Sequence, residues 1–133
     1  MASIQDKIAS IKKFKILFVE DEKDLQTIVS GTFSKIGFDF FVAGDGREAL
    51  EIISKDKEIS LLITDINMPV MNGLDLIKEA KKISPSMKVI IMSAHNEEEF
   101  VRKASDLGVD DYLIKPFDFM KFIDIAANYD KAN

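Results

Sequence analysis

The sequence predicts an α/β domain, a single doubly wound five-stranded parallel sheet flanked by five helices. Three observations carry that expectation. Short apolar runs alternate with helix-period segments along almost the whole chain. The run from Leu61 to Ile63 is continuously apolar, as suits a strand buried on both faces. Four of the five apolar runs end in ionisable or hydroxyl side chains, and the carboxyl edge of an open parallel sheet is where ligands and chemistry collect.

Residues 1–13 stand apart as an N-terminal extension. Ile4, Ile8 and Ile11 recur at helical spacing among Asp6, Lys7, Lys12 and Lys13, which describes either a short docked helix or a frayed tail. Phe14 to Val19 reads as the first strand and ends in Glu20-Asp21-Glu22. Leu25, Ile28, Val29, Phe33 and Ile36 keep the helical period, and Gly37 is a natural stop. Phe38 to Ala43 is a second strand, and Asp45 with Glu48 forms a capping-box pair that opens the next helix. The third strand ends at Asp65, before the turn residues Met68-Pro69 and Asn72-Gly73. A helix follows from about Gly73 to Ile83.

Lys88 to Met92 is the fourth strand, closed by Ser93-Ala94-His95. Asn96 and Glu99 repeat the capping pattern, Phe100, Ala104 and Leu107 face inward, and Gly108 terminates that helix. Asp110 to Ile114 is the fifth strand and ends in Lys115-Pro116. A last helix near Asp118 to Tyr129 buries Phe119, Phe122, Ile123 and Ala126, with 130–133 as a tail. The phenylalanines read as core and the methionines as gap-fillers.

Length and composition narrow the function. A chain of 133 residues, 47% apolar and 31% charged, suits one soluble domain, here spanning 14–129. Absence of cysteine excludes disulfides and thiolate metal sites. The apolar runs are too short for a membrane span and no signal peptide precedes them, so a cytoplasmic location is expected. A net charge of −5 argues against direct nucleic-acid binding.

The strand ends then decide the sheet order. In simple sequential order the second strand would hold Asp21 and Asp65 about 10 Å apart, two strand spacings. In the order 2-1-3-4-5 the first and third strands are neighbours and their carboxylates meet at the switch point. Ser93 then lies one strand from Asp65, and Lys115 reaches in from two strands away. Glu20, Asp21 and Asp65 so close together repel, by about 4 kcal/mol for a pair about 4 Å apart at an effective dielectric near 20. Lys115 offsets part of this, and a hard cation such as magnesium or manganese would relieve most of the rest. A carboxylate so screened could attack phosphorus, with Ser93 donating to the phosphoryl group, Lys115 pairing with it, and small Ala94 leaving room.

Four segments, Phe-Val-Glu-Asp-Glu (18–22), Ile-Thr-Asp-Ile-Asn-Met-Pro-Val-Met-Asn-Gly (63–73), Ile-Met-Ser-Ala-His (91–95) and Asp-Tyr-Leu-Ile-Lys-Pro-Phe (111–117), carry a family resemblance. From Phe14 to Tyr129 the chain resembles the response-regulator receiver domains of two-component signalling. The resemblance implies that Asp65 is the phosphoacceptor and that Glu20, Asp21 and the Asn67 carbonyl serve a magnesium ion. It further implies that Ser93 and Lys115 sense the phosphoryl group and that Tyr112 is the switch aromatic. Asn67, Ala94 and His95 would tune access to the site. The implied partners are a histidine kinase or phosphotransfer protein upstream and a protein reader downstream, on the face of the fourth helix, fifth strand and fifth helix. Ser93 and Glu20 replace the family's commoner Thr and Asp and keep the functional group. An Asp-nucleophile phosphatase would need a second acid at position 67, where Asn stands. A flavin module would place a phosphate against an acidic edge, and a degenerate receiver used only for docking would not need a complete acceptor site.

Overall fold

The structure, a computed structural model, describes residues 2–94 and 98–131. Its strands are β1 (Lys15–Val19), β2 (Asp39–Ala43), β3 (Leu61–Asp65), β4 (Lys88–Ser93) and β5 (Asp111–Ile114). The helices are α1 (Ile4–Ile11), α2 (Lys23–Ile36), α3 (Gly46–Lys55), α4 (Gly73–Ile83), α5 (Glu98–Ser105) and α6 (Phe119–Lys131). All strand pairs are parallel and the order is β2-β1-β3-β4-β5, as the clustering of polar strand ends requires.

Among the described residues six helices flank the sheet rather than five, because the N-terminal stripe folds as α1 and docks. Ser3 caps it in a complete capping box with Asp6, and Ile11 is fully buried. Lys7 pairs with Asp124 at 2.8 Å and Lys13 with Asp130 at 3.0 Å, tying α1 to α6. One sheet face packs Ile16, Phe18, Leu61, Ile63, Ile90, Met92 and Leu113 against α1, α2 and α6. The other packs Leu17, Val19, Leu62, Val89 and Ile91 against α3, α4 and α5. β3 is buried at every position, which explains its unbroken apolar run.

Local signals worked largely as expected. Gly37 ends α2 at φ 94°, a left-handed conformation that costs glycine little. Asp45 accepts from the Glu48 N–H at 2.9 Å, but the Glu48 carboxylate accepts from the Gly44 N–H instead of closing the box on Asp45. Phe33 sits among the rings of Phe18, Phe38, Phe40, Phe117, Phe119 and Phe122, with centroids 5.3–6.4 Å away. Among the described phenylalanines and methionines, two side chains depart from the core assignment. Phe41 points outward on edge strand β2, where Lys15 stacks over its ring, and Met120 stands exposed in the first turn of α6. Asn96 and the Phe100 side chain lie outside what the structure describes.

Candidate functional site

β1 and β3 are neighbours, with Val19 opposite Thr64, so the residues just past them share one edge of the sheet. Glu20, Asp21 and Asp65 each place a carboxylate oxygen within 4.8 Å of the others. Glu20 and Asp65 are buried, at 1% and 4% exposure, whereas Asp21 is open to solvent. Lys115, delivered by the end of β5, puts Nζ 2.5 Å from Asp65 Oδ2 and 3.3 Å from Glu20 Oε1. Ser93, at the end of β4, is buried and its carbonyl accepts from the Lys115 N–H at 2.8 Å. The structure therefore brings together the side chains of Glu20, Asp21, Asp65 and Lys115, and sets Ser93 at the end of the strand next to β3. Asn67 is exposed on the loop after β3 and Ala94 is half-buried after β4, while His95 lies outside the described residues.

Electrostatics at this edge are uneven. Burial pushes the Glu20 carboxyl above its ordinary value, helped by the Asp65 charge, while the Glu22 N–H and Lys115 pull it down. Burial alone would lower Lys115, but its hydrogen bond to Asp65 and the charges of Asp65 and Glu20 outweigh that and raise it. Glu20 Oε2 accepts from the Glu22 N–H at 3.0 Å. Among the described residues Glu20 Oε1 is buried without a hydrogen-bond donor, with the Lys115 ammonium 3.3 Å away as an ion-pair partner. A carboxylate oxygen with no hydrogen-bond partner among the described residues, within reach of two further carboxylates in a chain without cysteine, suits a hard divalent cation.

The loop after β3 is built to hold Asp65. A Cβ on Gly73 would lie 2.2 Å from the Asp65 carbonyl oxygen, so only glycine lets α4 start there. The Gly73 N–H donates to the Ile66 carbonyl at 2.8 Å, closing the loop. Between these ends Met71 N–H donates to the Pro69 carbonyl at 2.7 Å around Val70, whose φ of 71° is rare for a β-branched residue. Two contributors were not foreseen. The Gln26 side chain donates to the Glu20 carbonyl, and the Thr64 hydroxyl donates to the Asp65 carbonyl. Neither carries a local sequence signal, because each acts on backbone set in place by the tertiary fold.

Tyr112 on β5 is half exposed, beside a cavity of about 130 Å³ lined in part by Ile91 and Ala104. Among the described residues no helix is long and apolar enough to cross a membrane.

Residues 16–127 match the family described as the response regulator receiver domain. The chain is 32% identical over 115 residues to sporulation initiation phosphotransferase F of Bacillus subtilis, covering 86% of this chain and 92% of that protein. It is 35% identical over 105 residues to chemotaxis protein CheY of Thermotoga maritima, covering 77% and 86%. Among solved structures, a response regulator receiver domain protein from Clostridium thermocellum superposes with a TM-score of 0.81 at 31% identity, covering 90% of this chain and 98% of that one. With the fold, the strand-end cluster and these matches in agreement, the chain belongs to the response regulator receiver domains of two-component signalling.

Proposed function

We propose that this chain accepts a phosphoryl group on Asp65 from a histidine kinase or phosphotransfer protein, in a reaction dependent on magnesium or manganese. The observation that carries the reading is the placement of Asp65. Its carboxylate ends a fully buried strand, touches Lys115, and shares a 4.8 Å cluster with Glu20 and Asp21. Asp65, Glu20, Asp21 and the Asn67 carbonyl would hold the ion, which supplies positive charge to the phosphoryl oxygens.

An Asp65 carboxylate oxygen forms the new bond to phosphorus while the bond from phosphorus to the donor nitrogen breaks, its electron pair leaving with the nitrogen. Lys115 then exchanges its contact with Asp65 for one with a phosphoryl oxygen. Ser93 donates a hydrogen bond to another, and small Ala94 leaves the approach open. Asn67, Ala94 and His95 govern how readily water reaches the acyl phosphate. The added charge of about −1.5 to −2 biases Ser93 and Tyr112 between two arrangements and reshapes the α5–β5–α6 face for a protein reader. In this reading residues 14–129 carry the signalling role in the cytoplasm, with 1–13 an added helical segment and 130–133 a tail. The net charge of −5 favours a protein partner over nucleic acid.

Intact-mass measurement after incubation with acetyl phosphate and magnesium tests the proposal. One alkali-labile phosphoryl group is expected on the wild type and none on Asp65→Asn. Full labelling of that variant would overturn the assignment.

A further inference from the structure

Tyr129, near the end of α6, joins three elements. Its ring is 7% exposed, meets Phe14 edge-on at 6.4 Å between centroids, and lies under the Lys88 ammonium at 5.7 Å. Its hydroxyl donates to Asp111 Oδ2 at 2.9 Å. Burial and the Asp111 carboxylate push the phenol far above its ordinary value, so it remains a donor at any physiological pH. Asp111 directly precedes Tyr112, and successive side chains of a strand point to opposite faces. Asp111 therefore faces α6, while Tyr112 stands on the α5 side beside the cavity of about 130 Å³. A rotation of β5 that carried Tyr112 into that cavity would carry Asp111 away from Tyr129.

The far end of this linkage is α1, which precedes the matched family region of 16–127. Ile11 is fully buried and Ile8 packs on the same cluster as Ile123, Ala127 and Tyr129. Lys7 holds Asp124, and Lys13 holds Asp130, the residue directly after Tyr129. Phe14, which joins α1 to β1, supplies the edge contact to the Tyr129 ring. One set of contacts thus fixes both the helix that carries Tyr129 and the ring itself.

We infer that α1 is a conformational arm of this receiver: docked on α6, it holds β5, through the Tyr129–Asp111 hydrogen bond, in the arrangement in which Tyr112 faces outward. The inference rests on the reading of Tyr112 as the mobile aromatic of an acceptor domain. The coupling is reciprocal. Whatever loosens the arm favours the activated form, and whatever stabilises the activated form loosens the arm.

The experiment uses the full chain with magnesium and beryllium fluoride, a mimic of the phosphoryl group, followed by backbone NMR. Tyr129→Phe removes the hydrogen bond and keeps the ring, while Lys7→Glu with Lys13→Glu sets like charges against Asp124 and Asp130 and leaves the hydrogen bond intact. Both variants are expected to bind the mimic more tightly than wild type, by about fivefold. In the wild type the mimic is expected to speed hydrogen exchange at α1 amides. Unchanged affinity in both variants, with the Tyr112 resonances moving normally, would overturn the arm and leave the acceptor reading intact. Failure of the wild type to bind the mimic would overturn the acceptor reading, and the arm with it.

Discussion

Lys115 Nζ lies 2.5 Å from Asp65 Oδ2, although their strands are separated in the sheet by β4. The pairing sets an ammonium against a carboxylate that is only 4% exposed. Lys115→Ala would leave Asp65 and Glu20 facing each other uncompensated. The lysine side chain is 30% exposed, so the expected loss is about 2 kcal/mol, below the range for a fully buried pair. Urea unfolding at neutral pH without divalent ions measures it, and magnesium should recover part of the loss.

Glu20 gives a pH signature. Its folded pKa lies above the ordinary 4.5, so its contribution favours the fold below that value. That contribution is lost as pH rises through the raised folded value. In chelator, Glu20→Gln should therefore be more stable than wild type at pH 7, and the gap should close as pH falls toward 4.5. Lys115, also raised, adds a loss only where pH climbs through its own folded value, above the ordinary 10.5. Thermal midpoints measured from about pH 4 to about pH 8 report the Glu20 effect apart from that of Lys115. A wild type more stable than the variant at pH 7 would refute the account.

Cation binding should show as stabilisation. An ion that binds only the folded chain adds about 2.7 kcal/mol at a concentration about 100 times its dissociation constant. Magnesium should raise the thermal midpoint of wild type and leave that of Asp21→Ala nearly unchanged, because Asp21 is the solvent-facing carboxylate of the cluster. Equal shifts in both would place the ion elsewhere.

Two glycines make opposite predictions. Gly31 lies within α2 with nothing within 4 Å of the Cβ that alanine would add, so Gly31→Ala should stabilise by up to about 1 kcal/mol. Gly73→Ala would drive a methyl group to 2.2 Å from the Asp65 carbonyl, forcing backbone to move at Asp65 itself. A loss of about 2 kcal/mol or more is expected, together with slower labelling by acetyl phosphate. Chemical unfolding and the labelling rate report the two effects separately.

The parts of this molecule legible in its sequence are those governed by near neighbours. Gly37 stops α2 because a left-handed residue is needed there, and the β3 run is apolar because helices cover both of its faces. The order β2-β1-β3-β4-β5 was also legible, since only that order gathers Asp21, Asp65, Ser93 and Lys115. Long-range pairings were not. Whether residues 4–11 dock or fray depends on Asp124 and Asp130, each 117 positions from its lysine. The Glu48 side chain turned to Gly44 because the loop before α3 brings that N–H within 3.1 Å, which a capping pattern does not encode. Edge position decided Phe41, since β2 has β1 on one side only.

The aromatic inventory has an optical consequence. The chain has no tryptophan and two tyrosines, so its tyrosine emission comes from Tyr112 and Tyr129 alone. Both report on β5, one as a strand residue facing solvent and the other as a buried ring bonded to the strand from behind. Displacement of β5 would change the polarity around the first and the hydrogen bond of the second, while the ten phenylalanines remain nearly dark under tyrosine excitation. The protein thus carries an intrinsic fluorophore pair on its fifth strand, readable without a label.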